Sequence, residues 1–247
     1  MNKLIHGECL EELAKLEDNS IDLILCDLPY GTTRAKWDSV IDLDLLWPEL
    51  KRVRKDDRAV VLFAGQPFTS ALIMSNVKEF KHEWVWDKVT ARGHLVAKKR
   101  PMQQHESVVI FGKGGILYNP QMIPLEKTTK AGVERKRTEL MGGIGETTNY
   151  TTNKIRTHKY PKTIQTFSMD KNIGHPTQKP IALLEYLIKT YSNEQDTVLD
   201  MTAGSGSTAI AAINTDRKYI CIEKDDDYFE LMENRVQNHT KQTPVTM

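Results

Sequence analysis

The sequence has little of what marks membrane, secreted or metal-binding proteins. Its 247 residues include only three cysteines, Cys9, Cys26 and Cys221, whose wide spacing forms neither a disulfide framework nor a set of metal ligands. No run approaches the roughly 18 apolar residues of a membrane span. Residues 1–10 also lack the apolar core of a signal peptide. We therefore expect a cytoplasmic protein that binds no metal.

An excess of charge of one sign is also missing. The chain has 34 Lys and Arg against 33 Asp and Glu, a net charge of +1, which excludes a uniformly basic nucleic-acid binder. The distribution is uneven, however. Residues 81–172 hold 12 Lys and 5 Arg against 6 Glu and 2 Asp, a net of +9, so the remainder carries −8. The length predicts one large domain, or one domain with an insertion.

Apolar runs of strand length alternate with stretches of helical spacing. Strands are predicted at 3–6, 20–26, 59–64, 197–199 and 219–222, and helices at 11–16, 43–53, 67–77, 181–191, 208–213 and 228–236. This alternation predicts an α/β domain with a mostly parallel sheet. Segments 82–88 and 107–111 are further strand candidates. From 112 to about 171 there is little periodicity, which indicates an inserted functional loop region.

A glycine-rich turn follows the predicted strand at 197–199. The segment 198–208 (VLDMTAGSGST) leads from this strand through Gly204 and Gly206 into a predicted helix, an arrangement that lets backbone approach a ligand. Glu223 ends the next strand, where an acid can bind ribose hydroxyls. A nucleotide-type cofactor is predicted. An NAD site, or a tight turn without ligand, is the alternative, and Glu223 is also a candidate helix cap.

A second polar turn, 27–30 (DLPY), directly follows the predicted buried strand 20–26. The Asp27 carboxylate and the Leu28 carbonyl offer two acceptors, Pro29 stiffens the backbone, and Tyr30 offers a ring face. Two acceptors beside an aromatic ring suit a planar base with an exocyclic amine, because binding its N–H groups favours attack of the nitrogen on an electrophilic methyl group. The alternative is a strand-ending turn with a buried tyrosine.

Three segments together resemble one family. Residues 27–30 resemble the D/N/S-P-P-Y motif of amino-directed DNA methyltransferases, and 202–206 (TAGSG) resembles the F-x-G-x-G motif of their S-adenosylmethionine (SAM) site. Residues 175–180 (HPTQKP) resemble the segment that precedes this site in one permuted class. Their order is that of the β-class, of bacterial or phage type. Leu28 replaces the usual first proline and Thr202 the usual phenylalanine, departures that bear on turn rigidity and SAM affinity.

The resemblance covers nearly the whole chain and implies its fold. We expect a single Rossmann-like methyltransferase domain with a mostly parallel, circularly permuted sheet and an inserted target-recognition region. The catalytic half would be 1–111, the insertion 112–172, the SAM-binding half 173–240, and the tail 241–247.

The resemblance also implies the residues of the site. Asp27 and the Leu28 carbonyl, in the turn stiffened by Pro29, would hold the target amine, and Tyr30 would stack on the base. Glu8 would reach the SAM adenine, with a charge at a helix N-terminus as the equal alternative, and Glu223 would bind the ribose. The expected cofactor-binding residues are Glu8, Asp27, Thr177, Lys179, Asp200, Thr202, Ala203, Gly204, Ser205, Gly206 and Glu223.

The cysteines and the motif bear on which atom is methylated. None of the three cysteines follows a proline, which disfavours cytosine-C5 chemistry through a thiolate. By resemblance, Asp at the first motif position is typical of N6-adenine enzymes and Ser of N4-cytosine enzymes. We therefore expect site-specific methylation of a flipped-out adenine at N6 in duplex DNA. The alternatives are N4-cytosine methylation, an NAD-dependent oxidoreductase, and a DNA-binding protein that has lost catalysis.

The basic middle of the chain is the predicted DNA-binding region. Cations there suit phosphate contact, and the interleaved amides and aromatics at 149–160 suit base reading; a solvated loop is the alternative. The candidate phosphate ligands are Lys98, Lys99, Arg100, Lys154, Arg156 and Lys159. Trp37 is suited either to DNA contact or to the core. Enzymes of this class often pair, so a homodimer is a further expectation.

Overall fold

The computed structural model describes residues 2–31, 40–130, 155–170 and 178–242. The chain forms two compact units, one of Met1–Asn119 with Thr163–Met247 and one of Pro120–Lys162. None of the helices in the described ranges has the length and apolar character needed to cross a membrane.

The described residues form ten strands, six α-helices and a short 3-10 helix at His94–Val96. The strands are β1 (Lys3–His6), β2 (Ile21–Asp27), β3 (Arg54–Ala64), β4 (Phe80–Arg92), β5 (Gln103–Phe111), β6 (Ile123–Lys130), β7 (Ile155–Lys159), β8 (Ile164–Thr166), β9 (Thr197–Asp200) and β10 (Lys218–Glu223). The helices are α1 (Cys9–Leu13), α2 (Leu43–Val53), α3 (Phe68–Ser75), α4 (Ile181–Tyr191), α5 (Ser207–Asn214) and α6 (Asp226–Gln242).

Eight strands form the main sheet, in the order β1-β10-β9-β2-β3-β5-β4-β8. The neighbours from β1 to β3 are parallel, β5 runs antiparallel to β3 and β4, and β8 is parallel to β4. The predicted α/β fold with a mostly parallel sheet is therefore confirmed. Strands β9 and β10, from the end of the chain, lie between β1 and β2, from its start. The edge at which β2, β3, β9 and β10 end is called the carboxyl edge below.

Both faces of the sheet are covered, which explains the continuous apolar runs in its central strands. Alternate residues of β2 enter two different core clusters: Leu23 and Leu25 pack with α4, α5 and α6, whereas Ile24 and Cys26 pack with α1, α2 and α3. The result is a three-layer arrangement. The helices cover both faces of the sheet but not the carboxyl edge, so this edge is where a ligand can bind.

The inserted region contains strands that the sequence does not predict. Strands β6 and β7 form an antiparallel hairpin within Pro120–Lys162, with Ile123 opposite Lys159. All residues of β7 are exposed, so the strand lacks the alternation of buried and exposed residues from which a strand is predicted. Strand β8 lies within the predicted insertion of 112–172 but pairs with β4 in the main sheet. The insertion boundaries stay a prediction.

Candidate active site

A pocket lies at the carboxyl edge, beside the adjacent strands β2 and β9. Because these strands pair, the two motifs predicted from sequence meet there although they are 175 residues apart: the Thr202 hydroxyl donates to the backbone carbonyl of Asp27 at 3.0 Å. The pocket is lined by Leu25, Cys26, Asp27, Phe63, Gln178, Lys179, Leu184, Asp200, Thr202, Ala203, Gly204, Ser205, Ser207 and Thr208.

Asp27 is held from both sides of its carboxylate. The Tyr30 hydroxyl donates to Asp27 Oδ1 at 2.6 Å, and the Lys179 ammonium donates to Oδ2. Tyr30 also stacks on Phe68, with ring centroids 5.3 Å apart. Leu28 is buried, whereas the Asp27 side chain keeps 29% of its surface exposed. Asp27 is therefore an oriented acceptor that faces the pocket from the end of β2.

Lys179 lies between two carboxylates. Besides Asp27, its Nζ contacts Glu106 Oε2 at 3.5 Å, and Lys88 Nζ contacts Glu106 Oε1 at 2.6 Å. Burial alone would lower the pKa of Lys179, but the charges of Asp27 and Glu106 outweigh it and raise that pKa. The sequence does not point to Glu106 or Lys88, because nothing in their local pattern shows that β4 and β5 carry them to Lys179.

Asp200 ends β9 and fixes the start of the glycine turn. Its Oδ2 accepts from the Thr208 hydroxyl at 2.6 Å, and its Oδ1 accepts from the Thr202 N–H at 3.2 Å. Burial raises the pKa of Asp200 to about 6. The carboxylate thus ties the end of β9 to both the turn and helix α5.

The turn itself needs its glycines. Gly204 and Gly206 have φ values of +51° and +80°, in the left-handed region that other residues rarely adopt. Glu223, at the end of β10, accepts from the Gly204 N–H at 2.7 Å and from the N–H groups of Lys224 and Asp225, each at 2.9 Å. The Glu223 carboxylate therefore braces the turn, and its contact with a ribose stays a prediction.

Among the described residues, Gln178 places a hydrogen-bond donor without a partner at the pocket. Its Oε1 accepts from the Ser205 hydroxyl at 3.0 Å, while its Nε2 is buried without a hydrogen-bond partner in the described part of the chain. A buried unpaired donor costs about 1–3 kcal/mol, so this amide is suited to an acceptor that enters the pocket. An open left-handed turn and an unpaired donor fit the polar groups of SAM.

Glu8 serves as the cap of helix α1, which is the alternative that the sequence left open for it. Its carboxylate accepts from the N–H groups of Leu10 at 2.8 Å and Glu11 at 3.2 Å. Burial acts to raise the pKa of Glu8, but hydrogen bonds from the Cys9 thiol and these N–H groups lower it. Glu8 does not line the pocket described above, and its predicted contact with the SAM adenine stays a prediction.

The remaining predicted residues either do not line the pocket or fall outside the described residues. Lys98, Lys99 and Arg100 are exposed in the turn between β4 and β5, and Arg156 and Lys159 are exposed on β7. Thr177, Lys154 and Trp37 fall outside the described residues. Within the described ranges, His, Cys, Asp and Glu form no group of three or more that could hold a metal ion.

Comparisons with known proteins agree with these features. The DNA methylase family profile (N6_N4_Mtase) matches residues 21–234. The chain is 28% identical over 240 residues to DNA adenine methyltransferase YhdJ of Escherichia coli (strain K12), covering 92% of this chain and 80% of YhdJ. The solved M1.HpyAVI–SAM complex superposes with a TM-score of 0.65 at 20% identity, over 96% of this chain and 99% of that one. PvuII DNA methyltransferase (cytosine-N4-specific) superposes with a TM-score of 0.68 at 15% identity, over 98% and 92%. The chain therefore belongs to the SAM-dependent N6/N4 DNA methylase family.

Proposed function

We propose that the protein is a site-specific DNA methyltransferase that acts on N6 of adenine in duplex DNA. The observation that carries the proposal is Asp27, an oriented carboxylate at the end of β2 that faces the pocket next to the glycine turn. The adenine-specific relative YhdJ supports the choice of base. N4-cytosine methylation remains the alternative, since both chemistries act on an exocyclic amine.

The side chains of this site act on the amine of a base that has left the duplex. Unstacking that base costs a few kcal/mol, and stacking on Tyr30 would return about 1–3 kcal/mol. Asp27 and the Leu28 carbonyl accept the two N–H groups of the amine and draw its nitrogen towards tetrahedral geometry. The nitrogen lone pair then points at the electrophilic methyl group that SAM supplies when bound.

The cofactor would lie along the glycine turn. Ala203, Gly204, Ser205 and Gly206 would offer backbone, and Gln178 Nε2 would donate to an acceptor of the methionine end. We assign the ribose to Glu223 and the adenine amine to Glu8 on the family pattern, each as an addition to the structural contacts that these acids already make. Thr177 and Lys179 belong to the segment that would line the methionine pocket.

The residues that contact DNA are proposed on charge. The turn between β4 and β5 presents Lys98, Lys99 and Arg100, and β7 presents Arg156 and Lys159, all exposed cations of a segment whose net charge is +9. Exposed cations of this kind contact phosphates and so position the duplex. Lys154 would extend this set.

An Asp27→Ala variant tests the catalytic assignment. Because alanine removes both acceptor oxygens, methyl transfer to DNA should fall by at least about 100-fold. SAM affinity measured by calorimetry should stay near that of the wild type. Asp57→Ala, in the exposed first part of β3, is the matched control and should keep full activity. Normal turnover by Asp27→Ala would refute the role.

The methylated atom needs a separate measurement. Expression in a host free of DNA methylation, followed by single-molecule sequencing of its genome, reports the modified base and the recognition sequence together. N6-methyladenine at one sequence is the expected result. N4-methylcytosine would establish the alternative, and an unmodified genome with well-folded protein would contradict both.

A further inference from the structure

Four charged side chains of alternating sign form a chain that ends at the catalytic carboxylate. Lys88 contacts Glu106 at 2.6 Å, Glu106 contacts Lys179 at 3.5 Å, and Lys179 contacts Asp27. The side chains of Lys88, Glu106 and Lys179 keep only 12%, 15% and 8% of their surface exposed. The four charges sum to zero. We call Lys88, Glu106 and Lys179 the charge relay.

Neutralising the charge of Asp27 does not require all three residues of the charge relay. Lys179 alone supplies one positive charge, and burying a further ion pair costs free energy that the pair's attraction only partly returns. Glu106 and Lys88 therefore need another explanation. A lysine ammonium is a compact charge on a flexible four-carbon stem, so a single partner leaves its position loosely determined. Glu106 supplies a second anionic contact, with its Oε2 3.5 Å from the ammonium.

The ammonium of Lys179 also lies over an aromatic ring. Its Nζ lies 5.0 Å from the centroid of the Phe63 ring, near the end of β3. Lys179 is thus bounded by a ring and two carboxylates. This geometry leaves the ammonium little freedom to leave Asp27.

Lys88, at the end of the charge relay away from Asp27, lies in an irregular part of strand β4. The pairing of β4 with β5 shifts register between Asp87 and Arg92, and Val89 has a φ of +67°, which is unusual for a β-branched residue. Bulges of this kind re-aim side chains. The Asp87 carboxylate holds the bulge by accepting from the Val89 N–H at 2.9 Å. Lys88 lies between Asp87 and Val89, and its ammonium contacts Glu106 at 2.6 Å.

We propose that the charge relay positions Asp27 for the target amine, so that Lys88 and Glu106 are positioning residues for methyl transfer although neither lines the pocket. The inference rests on the proposed function. It assigns to Lys179 a contact with the acceptor of the target amine, whereas the family pattern placed this residue in the SAM pocket.

Glu106→Gln tests the relay without touching Asp27 or the pocket. The substitution keeps size and shape but removes the charge that anchors Lys179. We expect kcat to fall about 10- to 100-fold, since a misplacement of about 1 Å in a catalytic group can cost that much. The dissociation constant for SAM should change less than about twofold. Glu83→Gln is the matched control: Glu83 is a half-buried glutamate on β4 whose partner is the Ser107 hydroxyl, and its kcat should stay near that of the wild type.

A double substitution shows whether Lys88 and Glu106 act on Asp27 through one another or through two independent structural effects. If Lys88 acts only through Glu106, Lys88→Met lowers kcat, and adding it to Glu106→Gln causes little further decrease. Multiplicative decreases, an unchanged kcat in Glu106→Gln, or an effect confined to SAM affinity would each overturn the proposal. Lys88→Met also serves as the test if Glu106→Gln does not fold.

A readout without catalysis keeps this proposal distinct from the proposed function. In 15N-labelled protein, the Lys179 ammonium should give a slowly exchanging N–H signal that is absent in Lys179→Arg. Glu106→Gln should shift or broaden that signal, and Glu83→Gln should not. If the wild type fails to methylate DNA, the proposed function fails while this signal still tests the contacts. A signal insensitive to Glu106→Gln would refute the relay itself.

Discussion

At the scale of single residues, Gly206 shows why the cofactor turn tolerates no side chain. Its φ is +80°, and a Cβ added there would lie 2.6 Å from Cγ of Met232 in helix α6. The crowding is therefore on the side of α6, not inside the pocket. A larger residue at this position should displace the turn and α6 from each other.

Gly206→Ala should lower the free energy of unfolding by about 2–4 kcal/mol, which combines left-handed strain of about 1–2 kcal/mol with the cost of overpacking. Gly114→Ala is the matched control, because Gly114 also has a positive φ, +60°, but a Cβ there meets nothing within 4 Å. Urea unfolding of the two variants measures the difference. Equal decreases would show that Met232 moves aside without cost. We also expect Gly206→Ala to bind SAM more weakly in calorimetry.

At the scale of elements, α1 depends on the residue before it. Helix α1 has only five residues, and Glu8 caps it by accepting two backbone N–H groups. Such short helices owe their stability to caps and packing more than to propensity. This cap explains why α1 begins at Cys9, two residues before the predicted start at residue 11.

Glu8→Ala should lower the free energy of unfolding by about 0.5–2 kcal/mol, the usual cost of removing a cap. Glu8→Gln is the control that keeps an acceptor oxygen and should be less destabilised. Because the pKa of Glu8 is lowered on folding, its charge stabilises the fold above the unfolded value near 4.5, and that contribution is lost as pH falls through the folded pKa. The stability difference between wild type and Glu8→Gln should therefore shrink from pH 7 to about pH 3. If SAM affinity falls in Glu8→Ala, Glu8 also contacts the cofactor; unchanged affinity would refute that part of the proposal.

At the scale of the whole molecule, charge separates along the chain. The net charge is +9 in residues 81–172 and −8 in the rest of the chain. Within the main unit, β5 runs from Gln103, next to the exposed cations Lys98, Lys99 and Arg100, back to Phe111. Since Ala64 at the end of β3 pairs with Ser107, Gln103 projects beyond the carboxyl edge. The cations of this turn therefore lie on the side of the sheet that carries the active site.

DNA affinity should fall steeply with salt. Lys99→Ala should weaken binding and reduce the slope of log K against log salt by about 0.9, the value expected for one phosphate that the protein no longer neutralises. Lys113→Ala is the matched control: Lys113 is an exposed lysine just after the opposite end of β5, where it pairs with Asp56. Fluorescence anisotropy with a labelled duplex at several salt concentrations measures both. Equal effects of the two variants would remove the case for the turn between β4 and β5 as a phosphate-binding surface.

The fold class, the order of most strands and helices, and the two turns at Asp27 and Gly204 could be predicted from the amino-acid sequence. Apolar periodicity and turn residues are local properties of the chain, so the pattern predicts them without knowledge of packing. The same periodicity did not reveal β6, β7 and β8, because exposed strands have no buried face to impose alternation.

Which of these residues meet depends on the strand order and packing of the folded chain. The pairing of β2 with β9 brings Asp27 to the glycine turn, and the pairing of β4 with β5 brings Lys88 to Glu106, which in turn contacts Lys179. Strand order also brings Glu223 to the glycine turn, where its carboxylate accepts from the Gly204 N–H. Strand order and burial determine which residues make these contacts. A local sequence pattern therefore does not predict them.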